Sequence, residues 1–265
     1  MLLQPGHLER KVKLKTISIL TVILAFLMVL VGGKQGFSAF FSVLINFLLL
    51  FLNIMLISSG FPPLWTSLFS GICILAITIY MGTSDEKSSN VAFLATLAVM
   101  VVMLLLIVPL DHLVQVKGFA NEQSEEIEAF NLLVGVDFEK IAISTTILST
   151  LGAIAEAAIA IASGLNEVIE QDPQITPLKL RESGQNIGFQ IMGMTFNTLF
   201  FGMFGGDLAL FILLNKLHNS FGYYLNSKIF VSECMLVLYS AIAVILVIIV
   251  TTWLMSQKVK PQRSA

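Results

Sequence analysis

Apolar runs of membrane-spanning length alternate with short polar breaks along the whole chain. The pattern predicts seven helical spans, near 16–31, 37–57, 64–81, 91–110, 141–165, 187–214 and 229–255. A helix rising 1.5 Å per residue needs about 20 apolar residues to cross about 30 Å of hydrocarbon, so the first run is the shortest that qualifies. The breaks carry turn chemistry: Gly32-Gly33-Lys34-Gln35-Gly36, then Ser58-Ser59-Gly60-Phe61-Pro62-Pro63, then the charged loop TSDEKSSN. Pro109 ends the fourth run, and Asp172-Pro173 precedes a helix start at Thr176-Pro177. The stretch 111–140 is rich in Glu and Asp. It reads either as a short amphipathic acidic helix at the interface or as a solvated acidic loop. Arg10, Lys11, Lys13 and Lys15 before the first run give it the look of a signal peptide. The small-residue cleavage pattern is weak and apolar runs continue, so it is read as a retained span.

The expected architecture is therefore all-α: a polytopic transmembrane helical bundle forming one domain over 1–265, with no soluble domain. Composition agrees. Of 265 residues 56% are hydrophobic and 12% charged, and soluble domains carry about 25% charged residues. The mean hydropathy is +0.89. A net charge of -2 gives no basic surface for nucleic acid. Cys73 and Cys234 sit beside or within apolar runs without metal or redox spacing. No nucleotide-binding loop, H-E-x-x-H or G-x-S-x-G motif is present. No cofactor is expected, and the residues do not say whether a metal binds.

Orientation is balanced with seven spans. The N-terminal side holds Arg10, Lys11, Lys13, Lys15, Lys117, Lys140, Lys216 and Lys228, eight in all. The other side holds Lys34, Lys87, Lys179, Arg181, Lys258, Lys260 and Arg263, seven in all. The positive-inside rule does not choose between them.

Polar residues inside the spans mark the chemistry. Ser149, Gly152, Glu156, Ala160, Ser163 and Glu167 recur at steps of three and four, hence on one helix face, and Asn166 ends the same helix. Small residues beside Glu156 let a helix, water or a solute approach it. Ala153/Ala157 and Ala158/Ala162 form small-x-x-x-small pairs on the other side for close packing. Glu156 is read as a proton or cation site, or as a carboxyl hydrogen-bonded to a neighbouring helix. The sixth run has a second stripe, Asn186, Gln190, Gly193 and Asn197, which could face the first. Thr195 and Thr198 could bond to their own backbone. Gly202, Gly205 and Gly206 before Asp207 fit either a close-packed helix or an unwound ion-binding segment. Asn46 and Asn53 share a face of the second run with Ser42. They read as a polar seam between helices or as lining of the same cavity. An intramembrane protease is not expected, since no histidine lies within a span and Phe204 stands where a Gly-x-Gly-Asp motif needs glycine.

These stretches resemble the YibF side of the YibE/YibF family of bacterial multipass membrane proteins. The resemblance is carried by Val31–Gly36, LGAIAEAAIAIASGLNEV (151–168) with Asp172-Pro173, RESGQNIGFQIMGMTFNTLFFGMFGG (181–206) and FGYYLNSKIFVSE (221–233). Glu156-Ala157-Ala158 stands where the family usually has Asp-Val-Ala. The resemblance implies a bacterial plasma-membrane protein without the extra extracytoplasmic domain of long YibE-type members. It also implies a paralogous YibE-like partner, an acidic 111–140 segment outside and the C-terminal tail inside. Two functions follow as expectations. One is a permease or transporter component for an ion or small solute, with Glu156 as coupling carboxylate. The other is a structural subunit whose stripes grip the paralogue or a further copy of the chain.

Overall fold

The computed structural model describes residues 6–83, 85–114, 138–217 and 221–259. The apolar runs all become helix, and no strand occurs among the described residues. The elements are α1 (Gly6–Ser58), α2 (Pro63–Gly82), α3 (Glu86–Val114), α4 (Phe138–Gln171), α5 (Pro177–Gly206), α6 (Leu208–Leu217), α7 (Phe221–Asn226) and α8 (Lys228–Lys258). Among the described residues six stretches are long and apolar enough to cross a membrane: Lys15–Ser58 and helices α2, α3, α4, α5 and α8.

α1 holds the first two expected spans as two helices joined at a kink. It is bent, not straight: Gly33 adopts φ 55° and ψ -129°, a conformation open to glycine and strained for other residues. The bend brings Gly36 against Met28, where a Cβ on residue 36 would lie 1.8 Å from the Met28 carbonyl oxygen. The glycine-rich turn seen in the sequence is therefore a sharp corner. Beyond it, the second half of α1 packs on α2. The first half, from Lys15 to Val31, has almost no packed side chain.

α4 is the axis of the bundle, with α2, α3, α5 and α8 packed around it. Its alanines make this possible. Ala157, Ala158 and Ala162 are fully buried and Ala153 nearly so, as the small-residue spacing predicts. α5 and α8 approach through glycines: Gly184 lies under Thr252 and Gly188 under Ile248. Outside the core, large apolar side chains such as Leu105 and Phe201 are exposed, as suits a surface solvated by lipid.

Two boundaries differ from the sequence reading. Helix α3 passes through Pro109 to Val114. Proline deletes one backbone bond, but its end is tied by two side-chain contacts. The Tyr239 hydroxyl donates to Asp111 Oδ1 at 3.0 Å, and His112 Nδ1 meets Glu139 Oε1 at 2.8 Å. The run 187–214 is divided at Asp207, which caps α5 before α6 begins. Most of the acidic 111–140 stretch lies outside the described residues. Asp111–Val114 close α3 and Phe138–Lys140 open α4.

Candidate functional site

The polar stripe of α4 is one uncovered face. Ser149, Gly152, Glu156, Ala160 and Glu167 are exposed and Ser163 is half-buried, while the opposite face forms the core. A Cβ on Gly152 would meet nothing within 4 Å. Among the described residues Glu156 has no hydrogen-bond or ion-pair partner. A carboxylate at this depth facing lipid costs several kcal/mol, about 2.5–3.5 on insertion scales. An ionised Glu156 on this face is therefore unfavourable against lipid alone.

The stripe of α5 lies beside it. Asn186, Gln190, Gly193 and Asn197 are all exposed. α4 and α5 run antiparallel and touch where Gly164 meets Ile187 and where Gly188 meets Ile161. Counting eight residues from the first contact along each helix, about 12 Å of rise, places Glu156 level with Thr195. Glu156 and Asn197 therefore share a depth to within a turn. Ile248 and Thr252 hold α8 against the side of α5 that carries Gly184 and Gly188. The α5 stripe falls on the side away from α8. Asn197 Nδ2 donates to the Gly193 carbonyl at 3.0 Å, and Thr198 bonds back to Met194. Thr195 is buried.

A cavity sits at each end of the α4 stripe. One, of about 320 Å³, is lined by Ser163, Asn166, Glu167 and Glu170 of α4, Gln35 of α1, and Thr83, Asp85 and Ser88 at the α2–α3 turn. The other, of about 160 Å³, is lined by Ala142, Thr145 and Thr146 of α4 together with Asp111, Ser232 and Glu233. Thr145 and Glu167 each lie eleven residues from Glu156, about 16 Å along the helix. Ile159, three residues on from Glu156, also lines the larger cavity, and Thr146, ten residues back, the smaller, so Glu156 lies between the two and nearer the larger. Asp207 lies at the α5–α6 break, close enough to Glu233 of the smaller cavity to act on its charge, with its carbonyl accepting from Phe211 N at 2.9 Å.

Asn46 and Asn53 are not on this face. Asn46 Nδ2 donates to Thr78 Oγ1 at 2.8 Å, and Asn53 joins Ser67 and Ser70 at 3.2 Å each. They form the polar seam between α1 and α2.

Asp85 was readable only as a loop charge, yet it lines the larger cavity and starts α3. Its carboxylate accepts from the Ser88 hydroxyl, from Ser88 N at 2.9 Å and from Lys87 N at 3.2 Å. The spacing Asp85-x-x-Ser88 was the available signal. The Ser88 hydroxyl, more than any other group, holds the Asp85 carboxyl below its ordinary range. The folded value lies below the unfolded one, so the stabilisation is complete above the ordinary carboxylate value. It is lost as pH falls through the lowered one. Asp85→Ala is expected to loosen the start of α3 by about 1 kcal/mol near neutral pH. Amide exchange over 86–90 should show it, and the difference from the parent should shrink in acid. Equal exchange at neutral pH would refute the cap.

Among the described residues no group of three or more His, Cys, Asp or Glu is placed to hold a metal ion. The carboxylates of the larger cavity line its wall without converging on one point. A family model described as YibE/F-like protein matches residues 20–261 of the chain. Neither a curated protein nor a solved structure matches it.

Proposed function

The chain belongs to the YibE/F-like protein family; we propose that it is a permease component carrying an ion or small polar solute along one face of α4. The observation behind this reading is the stripe itself. Polar or small residues occupy every position from Thr145 to Glu167 on that face, and the stripe runs from one cavity to the other. Glu156, between the two cavities and without a hydrogen-bond or ion-pair partner among the described residues, is the coupling or cation-binding carboxylate. Asn197 and Gln190 line the same side, and Ser163, Asn166 and Glu167 lead into the larger cavity. Asp207 marks the other end of the route. The chemistry is binding and release, with no bond made or broken in the solute.

Accessibility tests it. In a Cys73→Ala/Cys234→Ala background, Glu156→Cys and Asn197→Cys are expected to react with a small water-soluble thiol reagent in intact cells. Cysteine at lipid-facing Leu105 is expected to stay unlabelled. Protection of both positions from either side, in protein that still folds, would remove the path.

A further inference from the structure

The uncovered face of α4 and α5 is poorly made for lipid. It presents Glu156, Gln190, Asn186 and Asn197 in a layer where polar groups are costly. The chain itself offers little to cover it. The unpacked first half of α1 carries no acid or amide group after Lys15, and its central Thr21 bonds back to Ile17.

The face is complementary to itself. It carries a carboxylate on one flank, α4, and carboxamides on the other, α5. Glu156 and the Gly193–Asn197 turn lie at the same depth. A two-fold axis along the membrane normal keeps depth and exchanges flanks, so α4 of one copy meets α5 of the other. Asn197 spends one amide hydrogen on the Gly193 carbonyl. Its second amide hydrogen is left to donate to Glu156 across the axis, twice over by symmetry. The backbones can come close because Gly152, Ala160 and Gly193 are small, and the space beyond the Gly152 and Gly193 Cβ positions is open. We infer that this face is the interface between two copies of the chain. The inference stands apart from the transport reading, since a pair sealed dry would hold together equally well.

Two differently tagged full-length chains, one Ala160→Cys and one Gly193→Cys, are co-expressed in the Cys73→Ala/Cys234→Ala background. Their membranes are oxidised with copper phenanthroline. A disulfide needs Cα atoms about 5.5 Å apart. A mixed-tag dimer is expected that chains bearing Leu105→Cys, on an outward face of α3, do not form. Adding Glu156→Leu to both chains should reduce that dimer severalfold. Subunit counting in lipid discs should give two copies. No mixed dimer above the Leu105→Cys control, or single copies in discs, would overturn the interface. Disulfides formed mainly with a chain of different sequence would overturn it too, and would assign the face to a heterologous partner.

Discussion

Glu156→Gln is expected to remove cation-driven flux while leaving the protein inserted and folded. Glutamine keeps the length and the hydrogen-bonding atoms of the side chain and removes its charge. A monovalent cation about 4 Å from a carboxylate gains about 4 kcal/mol at an effective dielectric of 20, roughly a thousandfold in affinity. A path that depends on this group should thus lose at least about a hundredfold in rate, allowing for solvent on an uncovered face. Vesicles loaded with a pH-sensitive or cation-sensitive dye and given a proton, sodium or potassium gradient supply the measurement. Gel filtration in detergent checks the fold. A Glu156→Gln variant that carries as fast as the parent would show that the charge has no part in movement. The stripe would then be an interface only.

Gly188→Val is expected to be strongly destabilising at the α5–α8 seam, with Gly184→Val close to it. A Cβ on residue 188 would sit 2.5 Å from Ile248 Cγ2, and one on residue 184 would sit 2.5 Å from Thr252 Cγ2 and 2.6 Å from its Oγ1. The opposing atoms belong to β-branched side chains, which have little rotamer freedom in a helix. The helices must therefore separate. Overpacking of this kind costs about 1–3 kcal/mol, and more where the backbone itself must move. The two sites are one turn apart on one seam, so the double variant should lose less than the sum. Gly202→Val is the control, because its Cβ meets open space and it lies outside the Gly152, Ala160 and Gly193 patch. Thermal aggregation temperature in detergent should drop clearly for residues 184 and 188 and hardly at all for 202. Ile248→Ala should restore part of the Gly188→Val loss. Equal midpoints for all three would mean that α5 and α8 do not meet along these glycines.

Much of this bundle could be read from residue spacing. The apolar runs became helices, and Ala153, Ala157, Ala158 and Ala162 packed inward as their spacing requires. Glu156 shares its face with Ser149, Gly152 and Ala160, because a 3.6-residue period alone fixes which positions share a face. That period does not say what covers the face. Covering depends on the register of α2 and α5 against α4, set by contacts such as Gly164 with Ile187, far apart in sequence. The helix ends were harder for a similar reason. Pro109 is a local stop signal, and Tyr239, 130 positions later in the chain, helps to outweigh it through Asp111. Asn46 and Asn53 showed a polar seam but not its partners, since Ser67, Ser70 and Thr78 carry no signal of their own in an apolar run.

The corner at Gly33 bears on how the protein is sorted during insertion. Gln35, Thr83, Asp85 and Glu167 meet at one end of the bundle, and Lys258 reaches the Lys87 carbonyl there at 3.3 Å. If the helix before the corner stays on the side where it begins, the chain crosses six times, and both basic ends belong to that side. Arg10, Lys11, Lys13 and Lys15 then join Lys34, Lys87, Lys179, Arg181, Lys258, Lys260 and Arg263. Eleven of the fifteen basic residues gather against four, Lys117, Lys140, Lys216 and Lys228. That is the excess by which positive charge retains a segment in the cytoplasm as a nascent chain enters the bilayer. One left-handed glycine would thus turn a tie into an address, with the larger cavity opening inward and the acidic segment delivered to the far side.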